Sequence, residues 1–156
     1  MGPKGKVIGV DMTEEMMRKA NENKAKVNAA NVDFRLGEIE DLPVDDSSVD
    51  RVISNCVINL VPSKERAFAE VHRVLKKGGR FTVSDIVVEG DITEEERRDA
   101  SLWAGCISGA LRREEYLGII ARTGFTDVRI VSERRYDHTL KSNARLFSIT
   151  VSAGKP

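Results

Sequence analysis

The chain has 156 residues, 25 basic against 25 acidic, with 40% hydrophobic and 32% charged side chains. That is the length of one domain and the composition of a soluble globular chain, and it excludes a fibrous or disordered one. With zero net charge there is no global basic field for nucleic acid. No apolar run approaches the roughly 20 residues of a membrane span, and the start, Met1-Gly2-Pro3-Lys4-Gly5-Lys6, is not a secretory signal. Two cysteines far apart, Cys56 and Cys106, make no disulfide framework, so a cytoplasmic, reducing compartment is expected.

Strand-like runs alternate with helical patterns, which predicts an α/β domain with a largely parallel sheet. The first run, Lys6 to Asp11, is β-branched and ends on an acid. Thr13 is placed to cap a helix whose first turn carries Glu14 and Glu15 and whose apolar face carries Met16, Ala20 and Val27. A strand at Val32–Leu36 and an acidic loop from Gly37 to Ser48 follow, then a strand at Val49–Asn55. Ser63 caps the next helix, with Phe68, Val71 and Leu75 at helical spacing and Gly78-Gly79 as its stop. Phe81–Val88 is a fourth strand. Thr93 and Glu96 form a capping box that opens a helix toward Trp103, and a small-residue stretch, Gly105 to Ala110, interrupts the pattern. A helix from about Arg113 to Thr123 stops at Gly124. The last two strands, Phe125–Val131 and Leu146–Ser152, have no helix between them and are expected to pair antiparallel.

Three places could carry chemistry. Asp11 ends a strand in a βαβ unit, where an acid can accept hydrogen bonds from ribose hydroxyls; strands also end in Asp simply because Asp starts a turn. Glu38 and Asp41, with Ile39 between them, read either as a solvated loop or as walls around an adenine. The third is Ser54-Asn55-Cys56-Val57-Ile58-Asn59-Leu60, where a strand ends in small polar residues and a thiol. Cys106 lies in a second stretch of small residues, and two thiols on separate segments can converge on a soft metal or metalloid; lone cysteines are more often buried packing. Two thiols are too few for a closed zinc site, and His72 and His138 are not at ligand spacing from either.

Gly9-Val10-Asp11-Met12-Thr13, Phe34 to Glu40, Ser54 to Leu60, Arg73-Val74-Leu75-Lys76-Lys77-Gly78-Gly79-Arg80 and Cys106 to Leu111 occur in that order. Together they closely resemble the arsenite methyltransferases of the class I S-adenosylmethionine-dependent superfamily, over nearly the whole chain and most weakly after about Tyr136. The acidic strand end and the Leu-Lys-x-Gly-Gly turn are shared across that superfamily, whereas the two cysteine segments are much more specific to the arsenic branch. The resemblance implies a Rossmann-like, doubly wound, mostly parallel sheet with an antiparallel last strand. It implies S-adenosyl-L-methionine as cofactor, with Asp11 on the ribose, Met12 packed on the adenine, Glu38 and Ile39 flanking the base and Asn55 lining the methionine side. It also implies that Cys56 and Cys106 are the thiolates that bind trivalent arsenic, whose lone pair takes the sulfonium methyl. The substrate would be arsenite or its thiol conjugates, with a thiol reductant as co-reactant and no nucleic acid or membrane partner. Arsenic(III) is soft and its ligands must be thiolates, so binding removes the thiol protons, and catalysis would rest mainly on proximity and orientation.

In that pattern the whole chain, 1–156, is a single partial domain, incomplete at its N-terminus, with cofactor-side βαβ units over 1–90 and substrate-side helices and antiparallel strands over 91–156. The family's first strand and glycine-rich loop would precede Met1. That strand is central in the family's sheet, so Lys6–Asp11 and Val49–Asn55 are each expected to lack a neighbour. Unpaired buried backbone groups cost about 1–3 kcal/mol each, and open apolar edges invite self-association. Weak cofactor binding by this chain alone is the matching expectation. The alternatives are a non-catalytic remnant that binds arsenite or a protein partner, and a methyltransferase of the same fold acting on another small molecule. A dinucleotide-dependent dehydrogenase is more distant, since it too needs the glycine loop.

Overall fold

The computed structural model describes residues 2, 4–104, 106–138 and 140–156; Met1, Pro3, Gly105 and Thr139, and the side chains of Trp103 and Ala104, lie outside the described part. The strands are Val7–Asp11 (β1), Val32–Leu36 (β2), Val49–Asn55 (β3), Leu75–Glu89 (β4), Thr126–Tyr136 (β5) and Arg145–Gly154 (β6). The helices are Glu14–Lys26 (α1), Lys64–Val74 (α2), Glu94–Arg97 (α3), Ala100–Ala104 (α4) and Arg113–Arg122 (α5), with a 3-10 turn at Ile58–Leu60. No helix among the described residues is long and apolar enough to cross a membrane.

The strands form two sheets. β1 and β2 pair in parallel, from Val7 opposite Val32 to Asp11 opposite Leu36. The other four lie in the order β3-β4-β6-β5. β3 runs parallel to β4, and β6 runs antiparallel to both β4 and β5, so β3, β4 and β5 point one way and the last strand points the other. This is the mostly parallel α/β sheet with an antiparallel last strand that the sequence predicts. β1 and β3 each have one strand neighbour among the described residues, as expected, and Ile53 on β3 is 85% exposed.

The larger core joins α2 and α5 to β4 and β6. Ala67, Phe68, Val71 and Val74 recur at helical spacing on α2 and are all buried. Phe68 stands edge-on to Tyr116 of α5 at 5.7 Å, and Phe81 of β4 stands edge-on to Phe125 at 4.7 Å. Ser63 caps α2 as expected, its side chain accepting from the Arg66 N–H. A smaller core gathers Ile86, Val88, Ile92, Leu102, Cys106, Ile107 and Leu146, with Cys56 and Leu60 packed against it.

Several local expectations are corrected. Thr13 stands at the start of α1, but its hydroxyl donates to Asp11 and does not cap the helix. The apolar face of α1 is uncovered: Met16 is 50% exposed and Val27 73%, because a two-stranded sheet is too narrow to bury it. Helix α2 ends at Val74, four residues before Gly78. Its last carbonyls are taken by the N–H groups of Ser47 and Ser48 and by the Lys155 ammonium, so no glycine cap is needed, and Gly78, at φ +74°, turns the chain within β4 instead. The Thr93–Glu96 capping box forms in full, yet its helix is four residues long. Asp99 accepts from the Ser101 N–H and hydroxyl and starts α4 as a new helix.

Candidate active site

Cys56 follows the last residue of β3, and its N–H is held by the Ser84 carbonyl of β4 at 2.8 Å. Its φ is +56°, and that of Cys106 is +61°. Both are left-handed conformations, which cost a non-glycine residue about 1–2 kcal/mol and recur where function demands a strained turn. The Cys106 thiol donates to the Cys56 carbonyl at 3.2 Å, across 50 residues of sequence. A cysteine's sulfur lies within about 5 Å of its own carbonyl oxygen, so the two sulfurs are within about 8 Å of each other. The structure therefore brings together the two segments that sequence alone separates. Cys106 is buried and Cys56 half-buried, and neither is disulfide-bonded. Burial, reinforced by the neighbouring Cys56 thiol and by Asp85, pushes the Cys106 thiol up to about 12. A thiol held that high is protonated at neutral pH. No cluster of three or more His, Cys, Asp or Glu able to hold a metal ion occurs among the described residues.

Behind the cysteines lies a buried polar group that sequence reasoning missed: Asn59, Lys64, Asp85 and Tyr116. The Tyr116 hydroxyl donates to Asp85 Oδ2 at 2.7 Å, while Asp85 Oδ1 has no partner among the described residues. Burial raises Asp85 to about 6, opposed by the Tyr116 hydroxyl, the nearby Asn59 N–H and the Lys64 charge. Burial lowers Lys64, opposed mainly by Asp85, and its ammonium donates to the Asn59 carbonyl at 3.4 Å. Tyr116 is held well above its ordinary value, first by burial and then by Asp85. One signal was available in sequence. Phe81, Val83, Asp85 and Val87 share one face of β4 by strand alternation, and that face is buried. A lone carboxylate among three apolar side chains marks a buried acid.

The other predicted residues lie on β1, on the loop after β2 and at the end of β3. Asp11 is half-buried; its Oδ1 accepts from the Thr13 N–H and hydroxyl, the turn-forming use of a strand-end Asp, and no hydrogen bond reaches Oδ2 among the described residues. Met12 beside it is 71% exposed. Glu38 is exposed and bridges to Asp41 through the backbone. Ile39 leans on the larger core, and Asn55 is exposed opposite Ser84. The loop is tied to α2 by Glu40, which accepts from the Ser63 N–H, and by Glu70, which accepts from the Leu42 N–H. No described contact joins Asp11 to the cysteines.

A parallel βαβ frame that carries acids and polar side chains at its strand ends, with an antiparallel final strand, is the architecture of a methyltransferase domain. The family model described as a methyltransferase domain matches residues 1–136, and the chain belongs to that family. Among curated proteins it is similar to arsenite methyltransferases. That of Halobacterium salinarum is 43% identical over all of this chain and 42% of its own length, and that of Homo sapiens is 38% identical over 85% of this chain and 38% of its own. A solved arsenic(III) S-adenosylmethionine methyltransferase from Chlamydomonas reinhardtii superposes with a TM-score of 0.88 at 35% identity, covering 99% of this chain and 56% of that one. The chain thus spans about two fifths of the length of the curated relatives it matches.

Proposed function

We propose that this chain is the core portion of an enzyme that methylates trivalent arsenic held by Cys56 and Cys106. The observation that carries this reading is the contact between the Cys106 thiol and the Cys56 backbone, which brings two free thiols within about 8 Å of each other. Its similarity to arsenite methyltransferases supports it. Arsenous acid exchanges two hydroxyls for two cysteine sulfurs, and each thiol proton leaves with a hydroxide as water. The product is a dithiolate that keeps its lone pair. Because the thiols are preplaced, the chain need only hold the arsenic still and keep water from replacing sulfur. A small thiol serves as reductant, keeping both cysteines reduced and delivering arsenite as its conjugate.

The residues on the cofactor side fit S-adenosylmethionine by their chemistry. Asp11 has a carboxylate oxygen free for a ribose hydroxyl, Met12 offers an uncovered apolar face for adenine, Glu38 and Ile39 flank it, and Asn55 supplies an amide at the methionine side. When bound, that cofactor supplies an electrophilic methyl group. In this reading residues 1–90 form the cofactor side and 91–156 the substrate side, and the chain works in the cytoplasm. The one-sided pairing of β1 and β3 and the exposure of Ile53 support self-association through strand edges.

Calorimetric titration with arsenite tests the reading. The wild-type chain binds one arsenic, and Cys56→Ser and Cys106→Ser each lose tight binding, because a hydroxyl is a poor ligand for a soft centre. Undiminished binding in either variant would falsify it.

A further inference from the structure

Resting on that metalloid reading, we propose that Asn59 is a positioning residue that seats Cys106 against Cys56 and so keeps the two thiols ready as a chelate. Asn59 is fully buried, three residues after Cys56 in the 3-10 turn that follows β3. Its side-chain amide nitrogen donates to two carbonyls: that of Ile86 on β4 at 2.6 Å, and that of Cys106 at 3.1 Å. One side chain therefore ties the Cys56 turn to the sheet and to the segment that carries the second thiol. The backbone repeats the link, since a Cβ added to Gly109 would fall 1.8 Å from the Asn59 carbonyl oxygen. Only glycine lets the Cys106–Ala110 turn approach this closely.

Two further observations point to the amide donors as the purpose of the residue. Asn59 Oδ1 is buried and has no partner among the described residues. A leucine would fill the same space without an unsatisfied acceptor, so the packing alone does not call for Asn. Both cysteines also hold positive φ angles, and such conformations persist only where the surroundings over-determine them. The Ser84 carbonyl fixes Cys56 through its N–H, and Asn59 fixes Cys106 through its carbonyl. Released from Asn59, the Cys106 turn is free to relax and the second sulfur leaves the first.

The experiment compares a two-thiol probe with a one-thiol probe on the full chain. Phenylarsine oxide needs both sulfurs, whereas iodoacetamide takes one thiol at a time and meets the half-buried Cys56 before the buried Cys106. In Asn59→Ala and Asn59→Ser, affinity for phenylarsine oxide falls about 10- to 100-fold, the usual effect of removing a group that orients a ligand. Alkylation of Cys56, read by peptide mass, changes less than about threefold, because the Ser84 carbonyl still holds the Cys56 N–H; a general loosening of the fold would change both readouts together. Unchanged arsenical affinity in a folded variant overturns the inference. So does a parallel change in alkylation, and so does loss of the folded state in both variants, since Asn59 would then hold the fold and not the pair. A wild-type chain that fails to bind phenylarsine oxide overturns the metalloid reading itself, and the inference with it.

Discussion

Replacing Asp85 with Asn makes the stability of this chain less dependent on pH, and the size of the change follows from the carboxylate's surroundings. Asp85 is 1% exposed, accepts one hydrogen bond from Tyr116 and has no partner for its second oxygen among the described residues. Burial lifts it from 3.8 in the unfolded chain to about 6 in the fold. The folded state therefore binds the proton more tightly, so the carboxyl is tolerated in full below about pH 4, and stability is lost as pH rises from there through about 6. The shift of about two units is worth about 3 kcal/mol above pH 7, and about 1 kcal/mol of that cost is already present at pH 4.5. Asp85→Asn removes the titration and keeps an oxygen for Tyr116. Its new N–H groups cost a fixed amount that does not vary with pH. The stability difference between variant and wild type should thus move by about 2 kcal/mol in the variant's favour between pH 4.5 and pH 8. Urea unfolding at five pH values measures it, with every other titrating group common to both proteins. A difference that stays flat, or that moves toward the wild type as pH rises, would refute the claim that a charged Asp85 is buried at a cost.

Glu96 shows the opposite sign. Burial raises its carboxyl, but hydrogen bonds from Thr93 and Ser142 outweigh that and hold it at about 2, so its stabilisation is present above about pH 4.5 and is lost as pH falls toward 2. Glu96→Gln should lower stability by about 1–3 kcal/mol at pH 7 in urea titration, with the difference shrinking in acid. Asp11→Ala should weaken S-adenosylmethionine binding by about 1.5–3 kcal/mol in calorimetry, and an unchanged dissociation constant removes Asp11 from the ribose. Ile53→Lys places a charge on the open edge of β3 and should shift sedimentation of the chain toward monomer, whereas identical sedimentation of the two proteins would clear that edge of any role in self-association.

Local pattern was enough for the elements whose signals are local. Val32–Leu36 and Val49–Asn55 were legible to the residue, because β-branched and apolar runs between turn residues mark strands wherever they lie. The Ser63 cap and the Thr93–Glu96 box are contacts over three residues, and both formed. The failures occurred where two local signals competed or where a distant group intervened. Asp99 overrode the continuation of one helix, and Ser47, Ser48 and Lys155 ended α2 before its glycines could.

The same division runs through the site. Sequence by itself picked out the candidate residues: the strand-end Asp11, the Cys56 segment and the small-residue turn at Cys106, whose order and context resemble the arsenite methyltransferases. The resemblance added the expectation that Lys6–Asp11 and Val49–Asn55 each lack a neighbour, and β1 and β3 each pair with one strand among the described residues. Only the tertiary structure decided that Cys106 meets Cys56 across 50 residues, that both do so in left-handed turns, and that Asn59 and a cramped Gly109 hold them there. It alone buried Asp85 and Tyr116 together and joined them by a hydrogen bond. Periodicity and capping act over a few residues and are written in the chain, whereas convergence and desolvation depend on which surfaces pack together, and that is settled by the burial of α2, α5 and the turn after β3 against the β4–β6 sheet.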